Sequence, residues 1–76
     1  MSDAQIMRAA AAILAACGLN YATAAPVVGV APSTLRHALL TQKLPGRYWP
    51  RRAIVRFVET NSGARTRSDL KFAELV

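Results

Sequence analysis

The feature that most constrains this chain is the stretch over residues 21–40, YATAAPVVGVAPSTLRHALL, in which small and apolar residues recur around a glycine. The positions on either side of Gly29 are Ala24, Ala25, Val28, Val30, Leu35 and Ala38. A short helix, a tight turn and a second helix that share one small core have this spacing. The stretch therefore predicts a helix-turn-helix.

The charges in the centre of the chain all have one sign. Between residues 4 and 58 there is no Asp or Glu. The basic residues in that span are Arg8, Arg36, Lys43, Arg47, Arg51, Arg52 and Arg56. The whole chain has a formal net charge of +6. Net charge indicates which partners a protein attracts rather than which fold it adopts. Together with a helix pair that fits a major groove, it predicts binding to double-stranded DNA.

Length and composition predict one all-α domain, a compact bundle of four to five short helices. The 76 residues suffice for a single domain, and 53% of them are hydrophobic, many being alanine, the best helix former. We expect residues 1–63 to form the helix-turn-helix domain. Residues 64–76 then form a tail or a short helix, which frays, covers the core or contributes to a homodimer.

Several classes of protein are disfavoured by composition. One Cys and one His allow neither an internal disulfide nor a Cys-based zinc site, and we expect no metal. The apolar run over residues 9–17 is far shorter than the roughly 20 residues that span a bilayer. It lacks a basic start, because Asp3 and Arg8 cancel. We expect a cytoplasmic protein, without a membrane or small-molecule partner.

The first helix is predicted over residues 3–17. Ser2 and Gln5 fit a capping box at its start, and Gly18 suits a left-handed cap at its end. Its apolar face consists of Ile6, Ala10, Ile13, Leu14 and Cys17. A lone cysteine on such a face is expected to be a small buried apolar residue.

The second helix is predicted over Tyr21–Val28, with Asn20 as its N-cap and Gly29 at its end. Pro26 is discordant, because inside a helix it removes a hydrogen bond. The alternative is a later start, with Thr23 as the cap and Pro26 in the first turn, where proline costs little.

The remaining helices are bounded by prolines and by polar segments. The third is predicted from residue 32 to 40 or 41, behind Ala31, which is a poor cap. Residues 44–49 are predicted to form a loop, because they contain the turn-forming pair Pro-Gly. A fourth helix is predicted over residues 50–60, and a last short helix over residues 69–76.

Base-reading candidates lie on the third helix. If Leu35 and Ala38 face the core, the residues that face outward are Pro32, Ser33, Arg36, His37 and Leu40. Of these, Ser33, Arg36 and His37 have side chains that reach base edges. Arginine is the best reader of guanine, because two of its N–H groups match O6 and N7. The alternative is an ordinary solvated face.

Phosphate-contact candidates surround that helix. They are Tyr21, Thr34, Lys43, Arg47, Arg51 and Arg52. Thr34 is near a helix N-terminus, which suits a phosphate. Arg51 and Arg52 are expected at the start of the fourth helix, where the dipole disfavours cations, so that phosphate contact would account for them. The alternative is that these residues are ordinary solubilising charges.

Two aromatic residues precede the predicted fourth helix. We expect Trp49 to pack back onto the core, and the alternative is stacking on exposed bases, as in single-strand binders. For Tyr48 both interpretations stay open. Tyr21 is expected at the rim of the core.

His37 invites a catalytic interpretation, which the rest of the chain does not support. A catalytic base needs an orienting acid or a nucleophile nearby. No acid lies between residues 4 and 58, so we do not expect an enzyme.

The segment AAPVVGVAPSTLRHAL resembles the helix-turn-helix of the Cro/repressor class of small bacterial and phage transcription regulators. The residues that carry the resemblance are Ala25, Gly29, Val30, Pro32, Ser33, Thr34, Leu35 and Ala38. The following LPGRYWPRRAIVRFVE is similar to the loop and supporting helix of that class. The resemblance implies a bundle of four or five helices, a homodimer on a palindromic operator, and no cofactor. It places Ser33, Thr34, Arg36 and His37 on the recognition helix.

These observations favour a sequence-specific transcriptional regulator of phage, prophage or mobile-element type, which inserts residues 32–41 into the major groove. Two other classes stay open. One is an architectural or DNA-packaging subunit that uses the same motif inside an assembly. The other is an adaptor whose basic face binds an acidic protein.

Overall fold

Four α-helices and one 3₁₀ turn form the structure, a computed structural model that describes residues 2–70. The helices are α1 (Asp3–Ala16), α2 (Tyr21–Val28), α3 (Pro32–Thr41) and α4 (Tyr48–Asn61), and the 3₁₀ turn is Arg67–Asp69. The described residues contain no strand. They occupy 30 × 26 × 23 Å, and the predicted all-α class is confirmed.

The local signals at α1 are confirmed. Ser2 and Gln5 form a capping box in which Ser2 N–H donates to Gln5 Oε1 at 2.7 Å and Gln5 N–H donates to Ser2 Oγ at 3.2 Å. The helix ends one residue before the predicted end, and Gly18 adopts a left-handed φ of +68°. Its buried residues are Met7, Ala10, Ile13 and Leu14. The prediction placed Ile6 on this face, but Ile6 is half-buried and its neighbour Met7 is fully buried.

Helix α2 begins at Tyr21, so the alternative start behind Thr23 is wrong. Asn20 Oδ1 accepts the Thr23 N–H at 2.9 Å, and Thr23 Oγ1 accepts the Asn20 N–H at 3.0 Å. This reciprocal cap holds the helix start two residues earlier than a Thr23 cap would. Pro26 consequently lies in the helix interior.

Helix α4 begins two residues earlier than the sequence predicts. Arg47 is its N-cap, and Arg51 N–H donates to Arg47 O at 3.1 Å. Pro50 is the third helical residue, where a missing N–H costs nothing because the first N–H groups of a helix have no intrahelical acceptor. Tyr48 and Trp49 therefore lie in the first turn of α4 and not in a loop.

The segment after α4 lies against the C-terminal end of α1. Arg67 donates from Nε to Cys17 O at 3.3 Å and from Nη2 to Gly18 O at 3.0 Å. Cys17 is buried, as predicted, and its Sγ donates to Thr66 O at 3.3 Å. Leu70 is extended, so the predicted helix does not form there, and residues 71–76 lie outside the described residues.

One core joins all four helices. Helix α1 packs mainly on α4, and α2 packs mainly on α3. The largest fully buried side chains are Met7, Val28, Leu35 and Ile54. No helix within residues 2–70 is long and apolar enough to cross a membrane by itself. By length and composition α1 and α2 would pass only as a pair, and they are bent by 114° at the break between them.

Candidate nucleic-acid interface

The turn between α2 and α3 fixes how α3 is presented. Gly29 ends α2 with a φ of +90°, a conformation that L side chains rarely adopt. The N–H groups of Gly29 and Val30 both donate to Ala25 O, at 2.8 and 3.2 Å. Ala31 is extended and Pro32 is the first residue of α3. This helix, short turn and helix are compatible with a helix-turn-helix.

The division of α3 into a buried and an exposed face is as predicted. Leu35 and Ala38 are each 1% exposed, and they anchor the helix in the core. The exposed residues include the five that were expected to face outward, which are Pro32, Ser33, Arg36, His37 and Leu40. Leu40 is 71% exposed, so the outward face of α3 is both polar and apolar.

The Arg36 side chain is held by a residue of the preceding helix. Its guanidinium carbon lies 5.8 Å from the centroid of the Tyr21 ring. This distance is within the range in which a cation is attracted to an aromatic face. Tyr21 is 40% exposed, in agreement with its expected place at the rim. The contact leaves the guanidinium on the exposed side of α3.

A groove of about 460 Å³ runs beside α3 and brings several of the predicted site residues together. Its lining residues include Ser33, Thr34 and His37 of α3 and Lys43, which follows the helix. Gln42 ends α3 in the left-handed region, with a φ of +56° and its Nε2 donating to Leu39 O at 2.7 Å. The groove therefore combines hydroxyl, imidazole and ammonium groups, which suit an anionic or polar ligand.

The predicted phosphate contacts of α4 are not equally available. Arg47 and Arg52 are exposed. Arg51 donates from Nη1 and Nη2 to the two carboxylate oxygens of Asp3, at 3.0 and 2.6 Å. This pair joins the first turn of α4 to the first turn of α1. It accounts for a cation near the start of α4 without a phosphate.

The aromatic residues of α4 correct one prediction. Trp49 is 75% exposed, so it does not pack onto the core, and Tyr48 is 63% exposed. The helix begins at Tyr48, and at 100° per residue Trp49 then lies on the side opposite Val58, which is buried. The two rings meet edge to face, with centroids 5.0 Å apart.

Residues 2–70 contain three carboxylates, Asp3, Glu59 and Asp69, and none of them belongs to α3. Asp3 pairs with Arg51, and Asp69 accepts the N–H groups of Arg65 and Thr66. These hydrogen bonds, from Arg65 first and then from Thr66, lower the pKa of Asp69 below its ordinary value of 3.8. Within residues 2–70 no three His, Cys, Asp or Glu side chains are grouped as metal ligands.

Sequence reasoning missed the two contacts that position arginines in this region, Tyr21–Arg36 and Asp3–Arg51. No local signal predicts either, because each joins residues on different helices.

Comparisons of the chain with protein families, with curated proteins and with solved structures gave no match.

Proposed function

We propose that this chain is a sequence-specific, double-stranded DNA-binding transcriptional regulator of phage, prophage or mobile-element type. The observation that carries the proposal is the outward face of α3. It exposes Ser33, Arg36 and His37 on a short helix that follows a tight turn. An α-helix fits into the major groove of B-DNA, where base edges present a distinct pattern for each base pair.

Each base-reading candidate has a definite chemistry. Arg36 donates two parallel N–H groups to guanine O6 and N7, which discriminates against other bases by about 1–3 kcal/mol. Ser33 in the first turn of α3 donates to or accepts from a base edge, and His37 lies one turn further along the same exposed face. The Tyr21 ring supports this function because it holds the Arg36 guanidinium in place before DNA is bound.

Phosphate contacts set affinity and orientation rather than sequence preference. The groove beside α3 supports such contacts from Thr34 and Lys43, and the start of α4 supports them from Arg47 and Arg52. Tyr21 and Arg51 complete the proposed set, Arg51 after its release from Asp3. Each neutralised phosphate releases counterions, so the affinity falls steeply with rising salt.

A homodimer suits so small a recognition surface. Two half-sites one helical turn apart, about 34 Å, multiply the specificity of one recognition helix. The segment over residues 64–76 is the proposed dimerisation element. In this proposal the protein acts in the bacterial cytoplasm, at the nucleoid, without a cofactor.

The test is a selection of duplex DNA from a random pool at about 150 mM salt, which is near physiological ionic strength. Wild type is compared with the double variant Arg36→Ala/His37→Ala. Arg8→Ala is the matched control, because Arg8 is an exposed arginine of α1. We expect a palindromic consensus for wild type and for Arg8→Ala, and its loss in the double variant.

The alternative results exclude the proposal in favour of a named class. Binding without a consensus, equal in all variants, would indicate an architectural or packaging subunit. No binding to duplex DNA at any salt concentration would indicate an adaptor for an acidic protein.

A further inference from the structure

The first turn of α4 exposes two aromatic side chains that the core does not use. Trp49 is 75% exposed, Tyr48 is 63% exposed, and their ring centroids are 5.0 Å apart. Tryptophan is highly buried on average in folded proteins. An exposed Trp in edge-to-face contact with an exposed Tyr therefore indicates a surface that a partner covers.

Arginines continue this surface along α4. Arg52 and Arg56 follow Trp49 by three and seven residues, which places the three side chains on one side of the helix. The distance along the axis is about 10 Å, at about 1.5 Å per residue. Neither arginine forms an ion pair within residues 2–70, whereas Arg51 is neutralised by Asp3. The charge that remains on this side of α4 is therefore positive.

A shallow groove of about 480 Å³ follows the same stretch of helix. Tyr48, Arg52, Val55 and Arg56 are among its lining residues, and Glu59 lies at its far end. The Tyr48 ring and the two cations thus line one groove, and Trp49 lies beside it in edge-to-face contact with Tyr48.

We propose that Tyr48, Trp49, Arg52 and Arg56 form a binding site for a single strand of nucleic acid. An unpaired base stacks on the Trp49 ring, with Tyr48 supporting the ring from its edge. Phosphates of the same strand contact Arg52 and Arg56. Aromatic side chains beside a basic groove are the general means by which proteins bind single strands without sequence preference. About 10 Å of stacked strand holds about three nucleotides at about 3.4 Å each.

Other occupants fit this surface less well. The bases of a duplex are stacked on each other, so they offer no face to Trp49. A second copy of the chain would bring arginines against arginines. An acidic protein could bind the cations, but apart from the two aromatic rings it would find only the half-buried Val55 as an apolar contact in this groove.

The site shares Arg52 with the proposed duplex interface, and the other two α4 contacts of that interface, Arg47 and Arg51, flank Tyr48 and Trp49 in the sequence. The base-reading residues of the duplex interface lie on α3, which packs mainly on α2, whereas the single-strand site lies on α4, which packs mainly on α1. Trp49 and Arg56 belong to the single-strand site alone, and they carry its test.

Trp49 itself is the reporter, because it is the one tryptophan of the chain. Wild-type protein is titrated with oligo(dT) of about 12 nucleotides, within the range of known site sizes. We expect the Trp49 fluorescence to be quenched as a base stacks on the ring. A duplex of equal length and poly-L-glutamate of equal charge are expected to quench it much less.

Variants then test the assigned roles, with binding followed by the anisotropy of labelled oligo(dT). We expect Trp49→Ala to weaken binding about 5- to 140-fold, the equivalent of about 1–3 kcal/mol per stacked base. Trp49→Phe is expected to retain most of the affinity because it keeps a ring. Arg56→Ala is expected to weaken binding and reduce its salt dependence, whereas Arg8→Ala removes the same charge from α1 as a control. Circular dichroism checks that each exposed-site variant is folded.

Four results would overturn the site. They are the absence of binding, equal affinities for wild type and Trp49→Ala, equal quenching by the duplex or by poly-L-glutamate, and a Trp49-dependent dimer in sedimentation. Failure of the duplex function is distinguishable, because the selection would then give no consensus while oligo(dT) still quenched Trp49. Failure of this site alone would leave the consensus and abolish the quenching.

Discussion

The guanidinium of Arg36 lies over the ring of Tyr21, 5.8 Å from its centroid. The contact joins the first residue of α2 to the middle of α3, and the tight turn at Gly29 makes it possible. A cation–π contact at an exposed site contributes about 0.5–1 kcal/mol. It also reduces the number of rotamers that a long side chain loses on binding. Tyr21 is thus a positioning residue for the proposed reader.

We predict that Tyr21→Leu reduces the discrimination between the preferred base and its substitutes at the position that Arg36 reads. The expected loss is about two- to fivefold, from about 0.5–1 kcal/mol. Tyr21→Phe should keep the wild-type discrimination, because the ring is retained and the phosphate contact of the lost hydroxyl does not depend on sequence. Competition binding with single-base operator variants measures the ratio. In an Arg36→Ala background Tyr21→Leu should not reduce this discrimination further, and a full additional loss of discrimination there would contradict the positioning role.

The Asp3–Arg51 pair should restrain DNA binding. Releasing Arg51 from Asp3 adds one phosphate contact, so we predict that Asp3→Asn raises duplex affinity and steepens the dependence of log K on log salt by about 0.9. Stability should fall by about 0.3–1 kcal/mol, because Asp3 also favours the first turn of α1. The exposed ion pair itself adds little to stability.

Glu59→Gln is the matched control. It also removes one negative charge, but from the C-terminal part of α4 and not from the partner of Arg51. Filter binding at several salt concentrations measures affinity and slope together. If Asp3→Asn and Glu59→Gln had equal slopes, Arg51 would have no phosphate contact.

Local signals predicted the helix ends well, because caps depend on residues three or four positions apart. Ser2 with Gln5, Asn20 and the left-handed Gly29 all act as the sequence indicates. The start of α4 escaped prediction, because proline is tolerated throughout a first turn and Pro50 did not mark its first residue. Once the helix begins at Tyr48, Trp49 turns away from the core.

The candidate site was predictable in its faces but not in its contacts. The burial of Leu35 and Ala38 follows from helical periodicity, and it fixes the exposure of Arg36. The partners of Arg36 and Arg51 depend on how separate helices pack, and a single sequence carries no periodic signal for that.

Replacing Pro26 should stabilise the protein. Pro26 lies inside α2, has no N–H to donate and is exposed, so Pro26→Ala restores a helical donor without opening a cavity. The gain of about 3 kcal/mol is partly offset, by about 0.4–1 kcal/mol, because the unfolded chain becomes freer. A net gain of about 2 kcal/mol corresponds to a rise in Tm of about 8–16 °C. Pro32→Ala is the control, since Pro32 begins α3, where proline is favourable. Equal Tm values for the two variants would contradict the prediction.

Acid should loosen the turn that Asp69 holds. Because hydrogen bonds from Arg65 and Thr66 lower the folded-state pKa of Asp69 below 3.8, its ionised form stabilises the turn above that pH. The stabilisation is lost as the pH falls through the lowered pKa. We expect the amide NMR signals of Arg65 and Thr66 to titrate with a midpoint below 3.8. Asp69→Asn should abolish this titration, and a midpoint at or above the ordinary value would refute the assignment.

Arg67 should protect the buried thiol of Cys17. Its guanidinium donates to Cys17 O and Gly18 O at the C-terminal end of α1, where the helix dipole favours a cation. The carbonyl oxygen of the adjacent Thr66 accepts the Cys17 Sγ–H. We predict that Arg67→Ala lowers the free energy of unfolding by about 1 kcal/mol and speeds the reaction of Cys17 with a thiol reagent. Arg65→Ala is the control, because it removes an equal charge two residues away without removing these hydrogen bonds. The chain has one cysteine, so the labelling rate reports on this site alone. If both variants were labelled at the wild-type rate, the segment over residues 64–70 would not shield the end of α1.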